Sequence, residues 1–485
     1  MKKYILEIIV FICGAIGMIL ELIAARVLSP YVGSSNLVWT TIIGIMLTSM
    51  SIGYFVGGKI VDKKPDRNIL AVLIVIGSFS ASLIPIFETI VVSNIARLSD
   101  NLIFVALITS AIVFGIPSFI LATVSPFAVK LNDRAYETIG KTSGKISSIS
   151  TIGSIFGTFL GGFFLIPTFG VRTIVLVITI ILLALAVIVY NKKNIKHYIL
   201  AIILLIIAIL LNIFGEILFK SNNPDIIQDI DSQYSRIWVK EIQANNETYK
   251  TMQVDTGLES YINTKTNEMG AQYLYYYNLF DYFNKDAKTT LMIGGAAYTY
   301  PNHYLNKFLD KTIHVSEIDN KMTEIASKEF GLDINNPRLK IYHQDGRSFL
   351  NYTKNRYDTI LIDAFKGLNA PFELTTYEAL INTKNILNDN GMVITNIISS
   401  LEGKDEDFIK YEYSTYKAVF DDVKLYKVRD TKENKRQNLI LVGFKGNKNI
   451  NKEKYNEYKK YLDREIKDFS SDKIIVTDNY SPIGN

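Results

Sequence analysis

The stretch "LMIGGAAYTYP", residues 291 to 301, has the pattern of a buried strand that ends in a glycine turn and continues into a helix. Glycines at such a turn allow a ligand to approach backbone N–H groups at the start of the helix. The stretch therefore favours an α/β sheet with a small molecule bound over Gly294 and Gly295.

Further apolar segments follow this turn and alternate with helical segments. With the first, the predicted strands are 290–295, 312–319, 339–345, 357–365, 391–398, 423–428 and 438–444. Such alternation predicts a mostly parallel sheet with helices on both faces. Ahead of it, two β-prone stretches, 235–242 and 250–262, predict a small antiparallel sheet.

Polar residues follow the first four predicted strands of the α/β part. Ligands bind past the carboxyl ends of the strands in such sheets. After the glycine turn comes Glu317 in "VSEID", about twenty residues on, where an acid binds ribose hydroxyls in nucleotide-binding sheets. Asp345 in "HQDGRSF" is suited to accept from an exocyclic amine, and Asp363 in "LIDAF" ends the next strand. The four strand ends together predict a nucleoside site.

The first half of the chain has the composition of a polytopic membrane protein. A bilayer core of about 30 Å needs roughly 20 apolar residues in a helix. Seven segments qualify: about 4–26, 37–59, 69–93, 102–129, 146–167, 172–190 and 197–218. Gly153, Gly157 and Gly161 repeat at every fourth position, which predicts close helix packing.

Lysines and arginines at the ends of these segments predict the orientation. One set of ends carries Lys2, Lys3, Lys59, Lys63, Lys64, Arg67, Lys130, Arg134, Lys141, Lys145, Lys192, Lys193 and Lys196, and the other carries Arg26, Arg97 and Arg172. Thirteen against three puts the N-terminus in the cytoplasm, and we expect an integral, multi-pass plasma membrane protein. Seven crossings then place the second half outside the cell.

Composition also argues against several classes of site. The single cysteine, Cys13, lies within the first apolar segment, and the four histidines lack metal-ligand spacing. We therefore expect no metal. The net charge of +5 is accounted for by cytoplasmic loops, without a basic stripe for nucleic acid.

Five regions are predicted from these patterns. They are a polytopic transmembrane domain (1–218), a polar linker (219–233), a small β domain with a connecting helix (234–288), a Rossmann-like nucleoside-binding domain (289–445) and a charged, exposed C-terminal tail (446–485).

At this point the residues carry a family resemblance. "GGAAYTYP", "SEIDNKMTEIASKEFGL", "IYHQDGRSFL" and "YDTILIDAFKGLNAPFELTTYEAL" resemble the polyamine aminopropyltransferases, or spermidine synthases, and especially their membrane-bound branch. The resemblance covers essentially residues 230–445, and 14–39 resembles the membrane half of that branch. It implies a spermidine synthase-like domain of methyltransferase-type Rossmann fold behind a small β domain, and possible homodimers.

The resemblance also implies roles for individual residues. Gly294, Gly295, Glu317, Asp345 and Gly346 would bind the donor, which is decarboxylated S-adenosylmethionine or S-adenosylmethionine. Glu317 would hold the ribose and Asp345 the adenine amine.

On the acceptor side the resemblance makes Asp363 the general base for an amine or another small acceptor. Tyr234, Tyr298 and Lys366 are the candidate substrate-binding residues.

The sequence departs from the family at amine-binding positions. Soluble members typically have GGGDG at the turn, with an Asp that binds the terminal amine of the donor, where this chain has Ala297. They have a second Asp three residues after the base, where this chain has Lys366, and Ser235 replaces a glutamine. A lysine within about 4 Å of a diamine in a low-dielectric pocket would repel it by several kcal/mol.

Three interpretations follow. The first is a membrane-anchored transferase of the aminopropyltransferase type; the second is a transporter or sensor whose synthase-like domain binds a ligand without chemistry. The third is an S-adenosylmethionine-dependent methyltransferase, which Ala297 fits. Donors of this kind are made in the cytoplasm, so the expected chemistry places the second half inside the cell and the loop charges place it outside.

Overall fold

The computed structural model describes residues 4–33, 36–99, 101–132, 139–190, 195–222, 224–364, 372–403, 405–480 and 482. The chain divides into two compact units, Met1–Trp238 and Val239–Asn485.

The first unit is helical. Its helices are α1 (Ile5–Val32), α2 (Asn36–Lys63), α3 (Arg67–Ser82), α4 (Ile84–Phe87), α5 (Ser93–Leu98), α6 (Leu102–Ser110), α7 (Ile116–Ala122), α8 (Val124–Asn132), α9 (Ile139–Leu160), α10 (Ile166–Thr168), α11 (Val171–Val189) and α12 (Ile195–Asn222). Three short π-helical segments, Glu88–Val92, Ala111–Gly115 and Gly161–Leu165, join neighbouring helices into longer rods.

Six helical rods of the described chain are long and apolar enough to cross a bilayer. They are Ile5–Val32, Leu37–Lys63, Arg67–Ala96, Leu102–Asn132, Gly140–Thr168 and Val171–Val189. The seventh predicted span, 197–218, lies on α12, whose described apolar part is the shorter Ile199–Gly215. Among its described residues the chain therefore has a membrane domain with six candidate spans, and the seventh crossing stays a prediction because α12 itself has 28 residues.

The glycine stripe on α9 packs against α1, as predicted. A β-carbon added at Gly153 would overlap the carbonyl oxygen of Phe11, and one at Gly157 would overlap that of Ala15. Close approach of two helix backbones is the usual role of small residues in membrane helices, since it increases van der Waals contact where there is no hydrophobic driving force.

Buried ion pairs hold the end of the first unit. The Arg26 Nε lies 3.5 Å from Asp231 Oδ1, and the Arg236 guanidinium donates to both oxygens of Asp229 at 2.9 Å. Arg236 also pairs with Glu88, which is almost fully buried. Breaking such a pair by removing one partner typically costs 3–5 kcal/mol, roughly, because it leaves a charge buried without compensation.

Strand β1 (Ile226–Asp231) falls within the expected linker, whose start also contains the end of α12. The linker prediction is therefore wrong for these residues, because the alternating "IIQDID" pairs as a strand. A four-stranded sheet has the order β1-β2-β3-β4, with β2 (Arg236–Ala244), β3 (Glu247–Val254) and β4 (Gly257–Asn263). Strands β3 and β4 are antiparallel.

The second unit contains a seven-stranded sheet in the order β10-β11-β9-β8-β5-β6-β7. The strands are β5 (Thr289–Ile293), β6 (Thr312–Ser316), β7 (Leu339–Tyr342), β8 (Tyr357–Ile362), β9 (Leu387–Ser399), β10 (Asp422–Lys427) and β11 (Gln437–Phe444). Each corresponds to a predicted strand. Pairing is parallel from β9 through β8, β5, β6 and β7, whereas β11 pairs antiparallel with both β9 and β10.

Helices alternate with these strands, as predicted. They are α13 (Phe280–Phe283), α14 (Thr299–Lys307), α15 (Asn320–Glu329), α16 (Gly346–Tyr352), α17 (Tyr377–Ile386), α18 (Asp407–Val419) and α19 (Tyr455–Leu462), of which α13 and α19 flank the sheet in sequence. Thr376 caps α17 by accepting from Ala379 N at 3.2 Å. A 3-10 helix over Gln272–Leu279 precedes α13 and buries Tyr276 and Tyr277 in the core.

Part of the C-terminal segment packs against the α/β core and is not exposed. Tyr458 on α19 is 1% exposed, and Ile466 N donates to Leu425 O of β10 at 2.8 Å. The prediction of an exposed charged tail is therefore wrong in this part, because α19 has an apolar face that packs on the α/β core.

Candidate functional site

The predicted site residues of the α/β part follow four adjacent parallel strands. In the order β8, β5, β6 and β7, these strands are followed by Asp363, the Gly294-Gly295 turn, Glu317 and Asp345. Because the carboxyl ends of parallel strands meet at one edge of the sheet, the four positions share that edge.

Gly294 is required by the crowding between β5 and β8. Its φ is +88°, and a β-carbon there would overlap the carbonyl oxygen of Asp363. Gly294 N donates to Ser316 O at 2.9 Å, and Asp363 N donates to Ile293 O at 2.9 Å. The turn is therefore bonded to the strands on both sides.

Glu317 binds the glycine turn directly. Its Oε2 accepts from Gly295 N at 2.7 Å and from Ala296 N at 3.1 Å, while Oε1 accepts from Asp319 N at 2.9 Å. Burial raises the pKa of Glu317, although these three N–H groups act in the opposite direction. The N–H groups that were expected to face a ligand are thus already bound by the carboxylate.

Ala296 and Tyr298, which follow Gly295, adopt left-handed backbone conformations that are unfavourable for residues other than glycine. Ala296 has φ +45° and Tyr298 has φ +53°. The Tyr298 ring is fully buried next to Gly295, and its hydroxyl lies 2.8 Å from Thr323 Oγ1. Tyr298, a candidate for substrate contact, therefore packs beneath the turn.

Asp345 acts as a helix cap. Its Oδ1 accepts from Ser348 N at 2.8 Å at the start of α16, and its side chain is exposed. A β-carbon at Gly346 would lie 2.5 Å from Ile293 Cγ2, so a glycine is needed where α16 meets β5.

Asp363 is held by two side-chain donors at this edge. The Tyr273 hydroxyl donates to Oδ2 at 3.1 Å, and Asn396 Nδ2 donates to Oδ1 at 3.2 Å. Asn438 Nδ2 in turn donates to Asn396 Oδ1 at 3.0 Å. Burial raises the pKa of Asp363, and the hydrogen bonds from Asn396 and Tyr273 partly offset this increase.

Asp363 opens onto a cavity of about 410 Å³ within the second unit. Polar and charged side chains from β4, the Gln272–Leu279 helix and the sheet edge line it: Glu259, Gln272, Tyr273, Asn396, Arg429 and Asn438. Such a volume is typical of small-molecule sites.

Sequence reasoning did not single out most of these lining residues. Tyr273 lies in a tyrosine-rich stretch, residues 271–280, which follows no functional motif, and its hydroxyl bonds Asp363. Glu259 and Arg429 follow no sequence motif, because β4 and the end of β10 come together with β8 only in the folded domain.

Tyr234 and Lys366 are the two remaining candidates for substrate binding. Tyr234 belongs to the Met1–Trp238 unit and is 39% exposed. Lys366 lies outside the described residues. Within the described ranges there is no group of three or more His, Cys, Asp or Glu residues able to hold a metal ion.

Comparison with known proteins places this site in a family context. Residues 279–453 match the family profile described as "Spermine/spermidine synthase domain". The chain is 23% identical over 408 residues to polyamine aminopropyltransferase 2 of Aquifex aeolicus, covering 80% of this chain and 78% of that protein. It is 27% identical over 149 residues to the polyamine aminopropyltransferase of Vibrio vulnificus, covering 30% of this chain and only 48% of that relative.

Solved structures that align with this chain include a probable spermidine synthase from Corynebacterium glutamicum. The alignment has 19% identity and a TM-score of 0.40, and it covers 45% of this chain and 79% of that chain. Spermidine synthase from Thermotoga maritima aligns with 18% identity and a TM-score of 0.39. The alignment covers 49% of this chain and 80% of that chain. The family match itself identifies a spermidine synthase-like transferase domain, with distant polyamine aminopropyltransferase homologues, behind the candidate membrane spans.

The backbone of the turn provides a stability prediction. A left-handed non-glycine residue costs roughly 1–2 kcal/mol, so Ala296→Gly should stabilise the folded protein by about 1 kcal/mol. The adjacent Ala297 lacks a positive φ and is fully buried, so Ala297→Gly should instead destabilise it. Thermal unfolding of the purified chain in detergent measures both shifts, and equal signs would contradict the assigned strain.

Proposed function

We propose that the protein is a membrane-anchored transferase of the aminopropyltransferase type. It transfers an alkyl group from decarboxylated S-adenosylmethionine to an amine acceptor, with Asp363 as general base. The observation that carries the proposal is the Asp363 carboxylate, which is held by Tyr273 and Asn396 and opens onto a cavity of about 410 Å³. The family match of residues 279–453 supports the same chemistry.

The reaction needs alignment and an unprotonated amine more than it needs covalent catalysis. The lone pair of the acceptor nitrogen attacks the carbon next to the sulfonium, so an N–C bond forms. The C–S bond breaks, and its electron pair remains on sulfur to give neutral methylthioadenosine. The proton lost by the amine passes to Asp363 and then to solvent.

The donor site in this proposal is the edge formed by the Gly294-Gly295 turn, Glu317, Asp345 and Gly346. A carboxylate has about four acceptor positions, two on each oxygen. Glu317 Oε2 already accepts two N–H groups, while Oε1 accepts one. The free position on Oε1 is the one available to a ribose hydroxyl, so Glu317 can bind the donor without releasing the turn.

A methyltransferase remains the second candidate, and Ala297 favours it. This residue is fully buried and stands where soluble relatives are expected to have the acid that binds the donor's terminal amine. A methyl transfer would release S-adenosylhomocysteine, whereas an aminopropyl transfer releases methylthioadenosine. Product identification therefore separates the two reactions.

Asp363→Asn tests the assigned base. It keeps the size of the side chain but removes the proton acceptor, so turnover should fall at least about a hundredfold, the usual scale of general-base catalysis. Binding of methylthioadenosine, measured by calorimetry, should persist. Asp389→Asn, at a fully exposed carboxylate, is the matched control and should change neither quantity. Unchanged methylthioadenosine release in Asp363→Asn would exclude Asp363 as the base.

If neither donor yields a product in the wild type while nucleoside binding is normal, the chain is a binding protein rather than an enzyme. That outcome would favour a transporter or sensor. The absence of the family's amine-binding acids is consistent with such a protein.

The pH dependence of kcat/KM should reflect the Asp363 environment. The base must be ionised, so kcat/KM should fall as pH decreases through a pKa raised above the ordinary Asp value of about 3.9. Asn396→Leu removes a hydrogen bond that lowers this pKa, so the acid limb should move to higher pH. Asn388→Leu is the control, because Asn388 donates to Asp358 at the opposite end of β8 and should leave the limb in place.

We also propose that the catalytic half faces the cytoplasm. With a cytoplasmic N-terminus, six crossings return the chain to the cytoplasmic side, where sulfonium donors are made, and this orientation requires that α12 (Ile195–Asn222) does not cross the bilayer. This orientation removes the conflict that seven crossings would create.

Cysteine labelling tests the orientation. Asp389→Cys should resist a membrane-impermeant maleimide in intact cells and react after lysis, since Asp389 is fully exposed in the catalytic half. Leu98→Cys, which is exposed after the third span, should react in intact cells. The native Cys13 is buried and provides the background. Labelling of Asp389→Cys in intact cells would place the catalytic half outside.

A further inference from the structure

The Asp363 carboxylate is bound by a chain of two asparagines from the neighbouring strands. Asn396 Nδ2 donates to Asp363 Oδ1 at 3.2 Å, and Asn438 Nδ2 donates to Asn396 Oδ1 at 3.0 Å. We infer that Asn438 is a positioning residue for the reaction, which acts through Asn396 to keep an N–H donor on the proposed base. This inference rests on the proposed transferase function and identifies what orients its base.

The register of the sheet brings the three residues together. Strand β8 ends at Ile362, which pairs with Thr395 on β9. Asp363 and Asn396 are the next residues after this pair. Asn438 is the second residue of β11, which pairs with the part of β9 that continues beyond the end of β8. Because adjacent strands lie only about 4.8 Å apart, short side chains on three successive strands can form one chain of hydrogen bonds.

The chain of amides has a direction, since an amide has one accepting oxygen and one donating NH2 group. An ionised carboxylate only accepts hydrogen bonds, so Asn396 must turn its NH2 group toward Asp363 and its oxygen away from it. Asn396 is 2% exposed, and its oxygen is bound by the Asn438 amide. A buried oxygen without a donor is unfavourable, so Asn438 stabilises the orientation in which Asn396 donates to the base.

The second carboxylate oxygen is bound from a different segment. The Tyr273 hydroxyl donates to Asp363 Oδ2 at 3.1 Å. One donor on each oxygen fixes the plane of the carboxylate and leaves a second acceptor position on each oxygen. Asp363, Tyr273, Asn396 and Asn438 all line the cavity of about 410 Å³. The remaining acceptor positions are therefore held in place beside the space proposed for the amine.

Other ionisable groups near Asp363 come from the 3-10 helix, from β4 and from the segment after β10. They are Tyr273 and Tyr277, Glu259, and Arg429, respectively. Burial raises the pKa of Asp363, and the donors on Asn396, Tyr273 and Tyr277 oppose this increase. Burial also raises the pKa of both tyrosines well above the ordinary value, so they stay neutral. An apolar residue in place of Asn438 changes the charge of none of these groups.

Asn438→Leu tests this role in the full-length protein in detergent, with decarboxylated S-adenosylmethionine as donor and putrescine as acceptor. The variant keeps the size of the side chain but removes the donor, so Asn396 is no longer held and the pKa of Asp363 should rise. Because the base must be ionised, the acid limb of kcat/KM should move to higher pH by about half a unit, the scale of one hydrogen bond. The KM for putrescine, measured above the limb, should stay unchanged.

A double-mutant cycle distinguishes action through Asn396 from direct contact with the substrate. In the Asn396→Leu background, Asn438→Leu should displace the acid limb no further. Asn438→Gln retains an NH2 donor, so its limb should lie closer to that of the wild type than the limb of Asn438→Leu. Asn382→Leu is the matched control, because Asn382 donates to Asn351 Oδ1 at 2.8 Å in an amide pair between α17 and α16.

The outcomes separate this inference from the function beneath it. An unmoved limb in Asn438→Leu, or an equal displacement in the Asn396→Leu background, overturns the positioning role and leaves Asp363 as the base. A KM raised in both backgrounds assigns Asn438 to substrate contact and overturns the role as well. Unchanged methylthioadenosine release in Asp363→Asn overturns the proposed base and this inference with it.

Calorimetric binding of methylthioadenosine verifies that each variant is folded. If Asn438→Leu does not bind it, Asn438→Ala, which removes the same donor without adding apolar volume, takes its place with the same expected displacement.

Discussion

The α/β half depends on one backbone contact, the approach of Gly294 to the carbonyl of Asp363. No β-carbon fits between them, and the turn is bonded to β6 and β8 through Ser316 O and Asp363 N. This contact brings the end of β5 against the end of β8. The donor-side turn and the carboxylate proposed as the base are consequently held together by main-chain geometry rather than by flexible side chains.

Glu317 extends this constraint to the next strand. By accepting from Gly295 N and Ala296 N it stabilises a turn in which Ala296 and Tyr298 adopt left-handed conformations. Strain of this kind persists only where surrounding contacts determine the backbone, and it is concentrated at functional sites. Three backbone donors also keep the buried carboxylate from being an uncompensated charge.

The membrane half obeys a different constraint, because lipid provides no hydrophobic force between helices. Gly153 and Gly157 allow α9 to touch the backbone of α1. At the end of the unit, Arg236 pairs with Glu88 and Asp229 in a nearly buried cluster. Close backbone packing and satisfied buried charges are the two ways in which this half obtains a defined structure.

Much of the architecture was predictable from periodicity. All seven strands of the α/β sheet occur where apolar segments predicted them, and the glycine stripe predicted close helix packing, for which the structure supplies α1 as the partner. Six of the seven predicted spans are confirmed as candidate spans, and the last one stays a prediction, since it lies on α12, a helix of 28 residues whose described apolar part is Ile199–Gly215. The C-terminal segment was expected to be exposed, and its buried Tyr458 shows that a charged helix can still contribute one apolar face.

The sequence by itself determined the order of strands and helices, the glycine turn and the acids that follow successive strands, because these are local patterns of hydrophobicity and backbone freedom. Only the tertiary structure decided which groups line the cavity beside Asp363. Glu259, Tyr273 and Arg429 come from segments separated by up to 170 residues, 259 to 429, and meet around Asp363. Local patterns contain no information on such meetings, since the strand order β10-β11-β9-β8 that produces them is set by packing of the whole sheet.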